Sequence, residues 1–180
     1  MFFSIIPRPS APAYTLHQML WTYYPDGHRR PGDKRPFVYR VADKRLLMLS
    51  KIPPNCAHRR IDVITGQTYQ FDLICSPVRG TTATNGRRGR RKPYRSNDER
   101  REWLKRRLDG AAEIMFCIVT DRPDLSLRAA DGRIIHWPEC KMQGTLRITD
   151  RATFLLRLAD GVGGRGAWGH GLLYMPEVMG

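Results

Sequence analysis

Two periods of apolar residues can be told apart along the chain. TYQFDLICS (68–76) alternates, with Tyr69, Phe71, Leu73 and Cys75 on one side and Gln70 and Asp72 on the other, which predicts a half-buried strand. FFSII (2–6), FVYRV (37–41), RLLMLS (45–50), IMFCIV (114–119), GTLRIT (144–149) and LLYM (172–175) are further strand segments, with IMFCIV expected to be buried. The helical period appears three times. Leu16, Met19, Leu20 and Tyr23 share one face behind Ser10 as an N-cap and Pro12 in the first turn, and Pro25 ends that helix. Ser96, Asn97, Asp98 and Glu99 form a capping box that opens a helix carrying Trp103, Leu104 and Leu108. Asp150 caps a third helix on which Phe154, Leu155 and Leu158 recur.

In order, these elements read β-α-β-β and then βα and βαβ. The predicted fold is α+β, with two ferredoxin-like (βαββαβ) domains in tandem. The expected division is an N-terminal domain over 1–78, a basic linker over 79–95, and a C-terminal domain over 96–180 that contains a glycine-rich loop at 161–171. No sequence repeat relates the halves, so the duplication rests on element order.

That glycine-rich stretch, GVGGRGAWGHGLL, contains the letters of a dinucleotide-binding fingerprint in Gly161, Gly163 and Gly166. The fingerprint needs a strand before it and a helix after it. Here a helix leads in and a short strand leads out, with too few residues remaining for a βαβ unit. The glycines are read instead as places where backbone approaches backbone closely.

Charge narrows the function. Of the 180 residues, 31 are Lys or Arg and 17 are Asp or Glu, a formal net charge of +14. This favours a polyanionic partner, nucleic acid first and an anionic membrane surface second. The excess concentrates in Arg79, Arg87, Arg88, Arg90, Arg91, Lys92 and Arg95 and continues through Arg100, Arg101, Lys105, Arg106 and Arg107. A basic loop leading into a basic helix suits the phosphates of a duplex. Hydrophobic residues make up 41% of the chain, enough for a core, yet no run approaches the roughly twenty residues that span a bilayer. Pro7 and Pro9 interrupt the opening apolar stretch, which argues against a secretory leader. Cys56, Cys75, Cys117 and Cys140 lack paired spacing and are expected as free thiols in a reducing cytoplasm.

Candidate chemistry is sparse. His28, His58, His136 and His170 have no close ligand partners in sequence and no carboxylate cluster is apparent, so neither metal nor cofactor is expected. His17 sits on the first helix, one turn from both Tyr14 and Trp21, and histidine moves protons readily near neutral pH. A nuclease without metal is possible on RNA, where the 2′-hydroxyl attacks the adjacent phosphate. The protein then orients the nucleotides, moves protons and stabilises the added charge.

With YTLHQMLWTYYP, TYQFDLICSPVR, the basic stretch before SNDERREWLKRRL, and GVGGRGAWGHGLL in this order, the chain resembles the CasE family. These are RAMP-superfamily endonucleases that process CRISPR RNA in Cascade surveillance complexes. The resemblance runs almost end to end. It implies a metal-independent, cytoplasmic endoribonuclease that binds the repeat hairpin of precursor CRISPR RNA and cleaves at its 3′ base. The products would be a 2′,3′-cyclic phosphate and a 5′-hydroxyl, with the enzyme staying bound beside other subunits, a backbone subunit among them. It further implies His17 as the proton-transfer residue and Tyr14 as the group that orients the reacting phosphate. Lys34, Arg35 or Arg165 would stabilise developing charge, and Gly163, Gly164, Arg165, Gly166 and His170 would face the RNA. The sequence departs from the family pattern at Gly166, where a lysine is common, and at His170, where a small residue or Cys is common. The competing readings are a non-catalytic subunit that only holds the guide's 3′ hairpin, and a ribosomal or DNA-associated basic protein.

Overall fold

A computed structural model describes residues 1–25, 35–80, 91–128, 134–163 and 168–180. The first half contains β1 (Phe2–Pro7), α1 (Ala13–Trp21), β2 (Phe37–Ala42), β3 (Arg45–Ser50) and the two-residue β4 (Arg59–Arg60). They form a sheet of order β2-β3-β1-β4 in which each paired neighbour is antiparallel. This is the ferredoxin-like order, with the stretch between β3 and β4 crossing without a helix.

The second half contains β5 (Thr68–Cys75), β6 (Val78–Gly80), β7 (Arg91–Pro93), α2 (Asn97–Leu108), β8 (Ala112–Arg128), β9 (Ile134–Ile148), α3 (Arg151–Asp160), β10 (Leu173–Tyr174) and α4 (Pro176–Met179). Its sheet runs β10-β5-β9-β8, again antiparallel and again ferredoxin-like. The fold is therefore two ferredoxin-like domains in tandem. The strand Thr68–Cys75, expected to close the first domain, opens the second instead, because its partners are β9 and β10. The described ends of the stretch expected as a linker belong to that second unit, where β6 and β7 pair antiparallel.

The capping box forms as the sequence predicts: Ser96 accepts from the Glu99 backbone, and the Glu99 carboxylate accepts from the Ser96 backbone. Asp150 accepts from the Thr153 backbone and caps α3. The first helix differs. It starts at Ala13 behind Pro12, with no side-chain cap, so Ser10 lies upstream of it.

Two clusters make up the core. One joins α1 to one face of the first sheet through Leu16, Leu20, Tyr24, Phe37, Tyr39 and Met48. The larger one packs Phe3, Val38 and Leu49, from the other face of that sheet, with the second domain's Tyr69, Phe71, Leu73, Trp103, Leu104, Phe154 and Leu158. The first sheet is thus held between α1 and the second domain. IMFCIV, expected to be buried, exposes Met115, Phe116 and Ile118. It belongs to the edge strand β8, and α2 and α3 leave the outer face of that sheet uncovered. At Gly144, opposite Phe116 and Cys117, a Cβ would collide with the Phe116 carbonyl, so only glycine admits this close pairing beside the register shift in β8.

Candidate active site

The helical period that buries Leu16 and Leu20 leaves His17 half-buried at the edge of the α1 face. Its imidazole lies in an aromatic cage. The Tyr39 ring is nearly parallel to it, with centroids 6.3 Å apart and planes at 22°, and Phe37 stands 5.7 Å away. On the same helix the Trp21 indole Nε1 donates to His17 Nε2 at 3.3 Å. Tyr39 is 0% exposed, and burial pushes its phenol up to about 12, so it is neutral at physiological pH. Arg35 lies half-buried beside it. Burial lowers the Arg35 pKa and the Tyr39 phenol acts the other way. The guanidinium stays protonated throughout.

The glycine-rich loop comes to this cage from the second domain. A Cβ on Gly169 would stand 3.4 Å from Tyr39 Cε2, and one on Gly161 only 2.9 Å from Val38 Cγ1. Val162 donates to the Gly171 carbonyl at 2.8 Å, and Gly171 donates to that of Ile74 at 3.1 Å. A Cβ on Gly163 would press on the Trp103 ring at 3.0 Å. The loop is thus seated between β2, β5 and α2, and Tyr39 touches it on one side and His17 on the other.

His170 is 2% exposed, with Nε2 bonded to the Glu139 carboxylate on β9. Arg122 Nε reaches the other oxygen of that carboxylate at 3.3 Å. Burial pushes Glu139 up, but the His170 and Arg122 contacts outweigh it and hold the carboxyl below its ordinary value. His170 therefore points inward and seats the loop; expected to face RNA, it is shut in by this pair.

Part of the basic run lies in described structure. Arg79 and Arg106 each sit 5.9 Å from the Tyr94 ring centre, Arg106 also donates to the Tyr94 hydroxyl at 3.0 Å, and Arg107 lies 5.6 Å over Trp103. Lys92 and Arg95 are exposed beside them. Arg100 is buried and bound to Asp121, Asn97 and the Tyr94 carbonyl, so its charge is spent inside the protein. Lys34, Arg87, Arg88, Arg90, Gly164, Arg165 and Gly166 lie outside the described residues, as do the side chains of Tyr14 and Arg91. Sequence reasoning missed Tyr39 and Glu139, whose roles depend on pairings made across the fold. Trp21 was legible as a neighbour one turn from His17, though not as its hydrogen-bond donor. Among the described residues no group of histidine, cysteine and carboxylate side chains could hold a metal ion.

The sequence profile of a family of CRISPR-associated proteins matches residues 7–176. The chain belongs to that family. This bears out the resemblance to CasE proteins, and solved structures agree on the fold. Cas6e from Escherichia coli K-12 is 21% identical with a TM-score of 0.76, covering 97% of this chain and 98% of that one. Cse3 of Thermus thermophilus, solved with an RNA representing a pre-cleavage complex, is 20% identical with a TM-score of 0.71 and 97% coverage of both chains. A chain of a CRISPR RNA-guided surveillance complex is 20% identical with a TM-score of 0.72, covering 97% of this chain and 98% of its own. No curated protein sequence matches this family member. None of its described helices is long and apolar enough to cross a membrane.

Proposed function

We propose that this CRISPR-associated protein is a metal-independent endoribonuclease of the cytoplasm. It binds the repeat hairpin of precursor CRISPR RNA, cleaves at the hairpin's 3′ base, and stays on the product as a subunit of a surveillance complex, beside a backbone subunit. The observation that carries this reading is His17 on α1, half-buried in an aromatic cage whose Tyr39 also touches the glycine-rich loop of the second domain. A fold shared with an RNA-bound Cse3 and with a surveillance-complex chain supports it.

In this reading the RNA supplies its own nucleophile. Attack of the 2′-hydroxyl on the neighbouring phosphorus leaves a 2′,3′-cyclic phosphate and a free 5′-hydroxyl. The protein holds the two groups in line, moves protons through His17, and meets the crowded phosphate with cationic and backbone donors. Tyr14 orients the phosphate, while Lys34, Arg35 and Arg165 neutralise its charge. The backbone at Gly163, Gly164 and Gly166 approaches the RNA chain. Arg79, Arg87, Arg88, Arg90, Arg91, Lys92 and Arg95 hold the stem.

The test is cleavage of repeat RNA in EDTA by the wild type and by His17→Ala. Loss of cleavage with binding retained is expected. Undiminished cleavage by the variant removes His17 from the chemistry, and continued cleavage of a substrate with 2′-deoxy at the scissile nucleotide rules out internal attack. A wild type that binds the hairpin and never cleaves it is a holding subunit only.

A further inference from the structure

Trp21 stands one turn after His17, and its indole N–H is directed at one particular nitrogen, Nε2. The other nitrogen, Nδ1, is buried where the ring packs on Phe37 and Tyr39. A substrate atom has no route to Nδ1, which leaves Nε2 as the nitrogen it can reach once the indole yields. A ring nitrogen that accepts from an N–H carries a lone pair and no proton, so the proton of the neutral imidazole sits on Nδ1.

We infer that Trp21 is a positioning residue that keeps the Nε2 lone pair of His17 available, the state of a general base, and that bound RNA displaces the indole. The inference rests on the reading of His17 as the proton-transfer residue. The step it describes is balanced. The 2′-hydroxyl proton passes to Nε2 as the 2′ oxygen bonds to phosphorus. The bond from phosphorus to the 5′ oxygen breaks, that oxygen takes a proton from water, and the imidazolium returns its proton to the hydroxide so formed.

The surroundings favour the same protonation state. A donor on Nε2 stabilises the neutral ring over the imidazolium. Trp21, on the same helix, and Phe37, on β2, do not titrate, and Tyr39, also on β2, is neutral because burial pushes it up to about 12. Arg35 pulls that phenol the other way, and burial outweighs it.

The experiment combines the pH dependence of single-turnover cleavage by the full chain at sub-saturating protein, where the profile reads the RNA-free state, with imidazole nitrogen NMR of the RNA-free protein, using wild type, Trp21→Phe and His17→Ala. Phenylalanine keeps an aromatic ring against Phe37 and Tyr24 while removing the donor. In the wild type, His17 Nε2 is expected to give the signal of an unprotonated nitrogen. In Trp21→Phe both tautomers appear, the acid limb of the rate profile moves to higher pH, and cleavage on that limb falls roughly three- to tenfold while the alkaline plateau holds. An unchanged profile, an acid limb that moves down, a uniform loss at every pH, or a proton on Nε2 in the wild type overturns the inference. Cleavage surviving in His17→Ala overturns the catalytic reading beneath it, a result the NMR signals do not mimic.

Discussion

Arg40 of the first sheet and Asp72 of the second form an ion pair, Nη1 to Oδ1 at 2.5 Å, with side chains only 14% and 17% exposed. The other Asp72 oxygen receives Lys141 at 2.9 Å and Gln143 at 3.1 Å. One carboxylate thus ties the two domains and neutralises cations from both. Asp72→Ala leaves Arg40 and Lys141 facing each other without it. Stability should drop by about 1–3 kcal/mol, below the cost for a fully buried pair. Chemical denaturation measures this, and Arg40→Met added to Asp72→Leu should lose less than Asp72→Ala alone.

Gly161 has φ +80° and its missing Cβ would lie 2.9 Å from Val38 Cγ1, so backbone conformation and space both demand glycine. Gly66 has φ +85° with open space around it, so only conformation does. Gly161→Ala is expected to cost about 2–3 kcal/mol and Gly66→Ala about 1 kcal/mol. Equal losses in thermal unfolding would mean that Val38 gives way freely and that the loop is less firmly seated than the geometry implies.

Glu139→Gln tests the tie that shuts His170 into the loop. The folded carboxyl is held below its ordinary value by His170 and Arg122 against the push of burial. Its contribution to stability is therefore present above the unfolded carboxyl value and is lost as pH falls from there through the folded value. The variant should be less stable than wild type by about 1–3 kcal/mol at neutral pH. The gap should close on acidification, and denaturation curves across pH 3–7 would show it.

Local signals were legible in the sequence and long-range ones were not. Tyr69, Phe71, Leu73 and Cys75 are all buried, as their alternation predicts, yet alternation does not name a partner. The strand's partners, β9 and β10, come more than sixty residues later. The capping box of α2 lies within four residues and formed as read. IMFCIV misled because apolar content does not say which sheet face is covered, and Phe116 is 57% exposed on the open one. His17 was readable as a helical histidine beside Trp21. The phenol stacked on it, Tyr39, arrives through β2 and is fixed only once that strand packs on α1.

The basic run separates into charges available to RNA and charges already used. Arg100 is buried against Asp121 and Asn97, so Arg100→Ala should lower stability and leave the salt dependence of hairpin binding unchanged for the folded fraction. Arg87, Arg88, Arg90 and Arg91 fall in the stretch TTATNGRRGRR, which carries no acidic residue to neutralise them. Replacing these four by Ala should weaken hairpin binding at every salt concentration and flatten the plot of log affinity against log salt by roughly three to four, one phosphate contact per arginine. Binding titrations at several potassium chloride concentrations give both quantities. An unchanged slope would move the RNA-facing surface away from this stretch and onto the arginines around Tyr94 and Trp103, where Arg79→Ala and Arg107→Ala would then carry the loss.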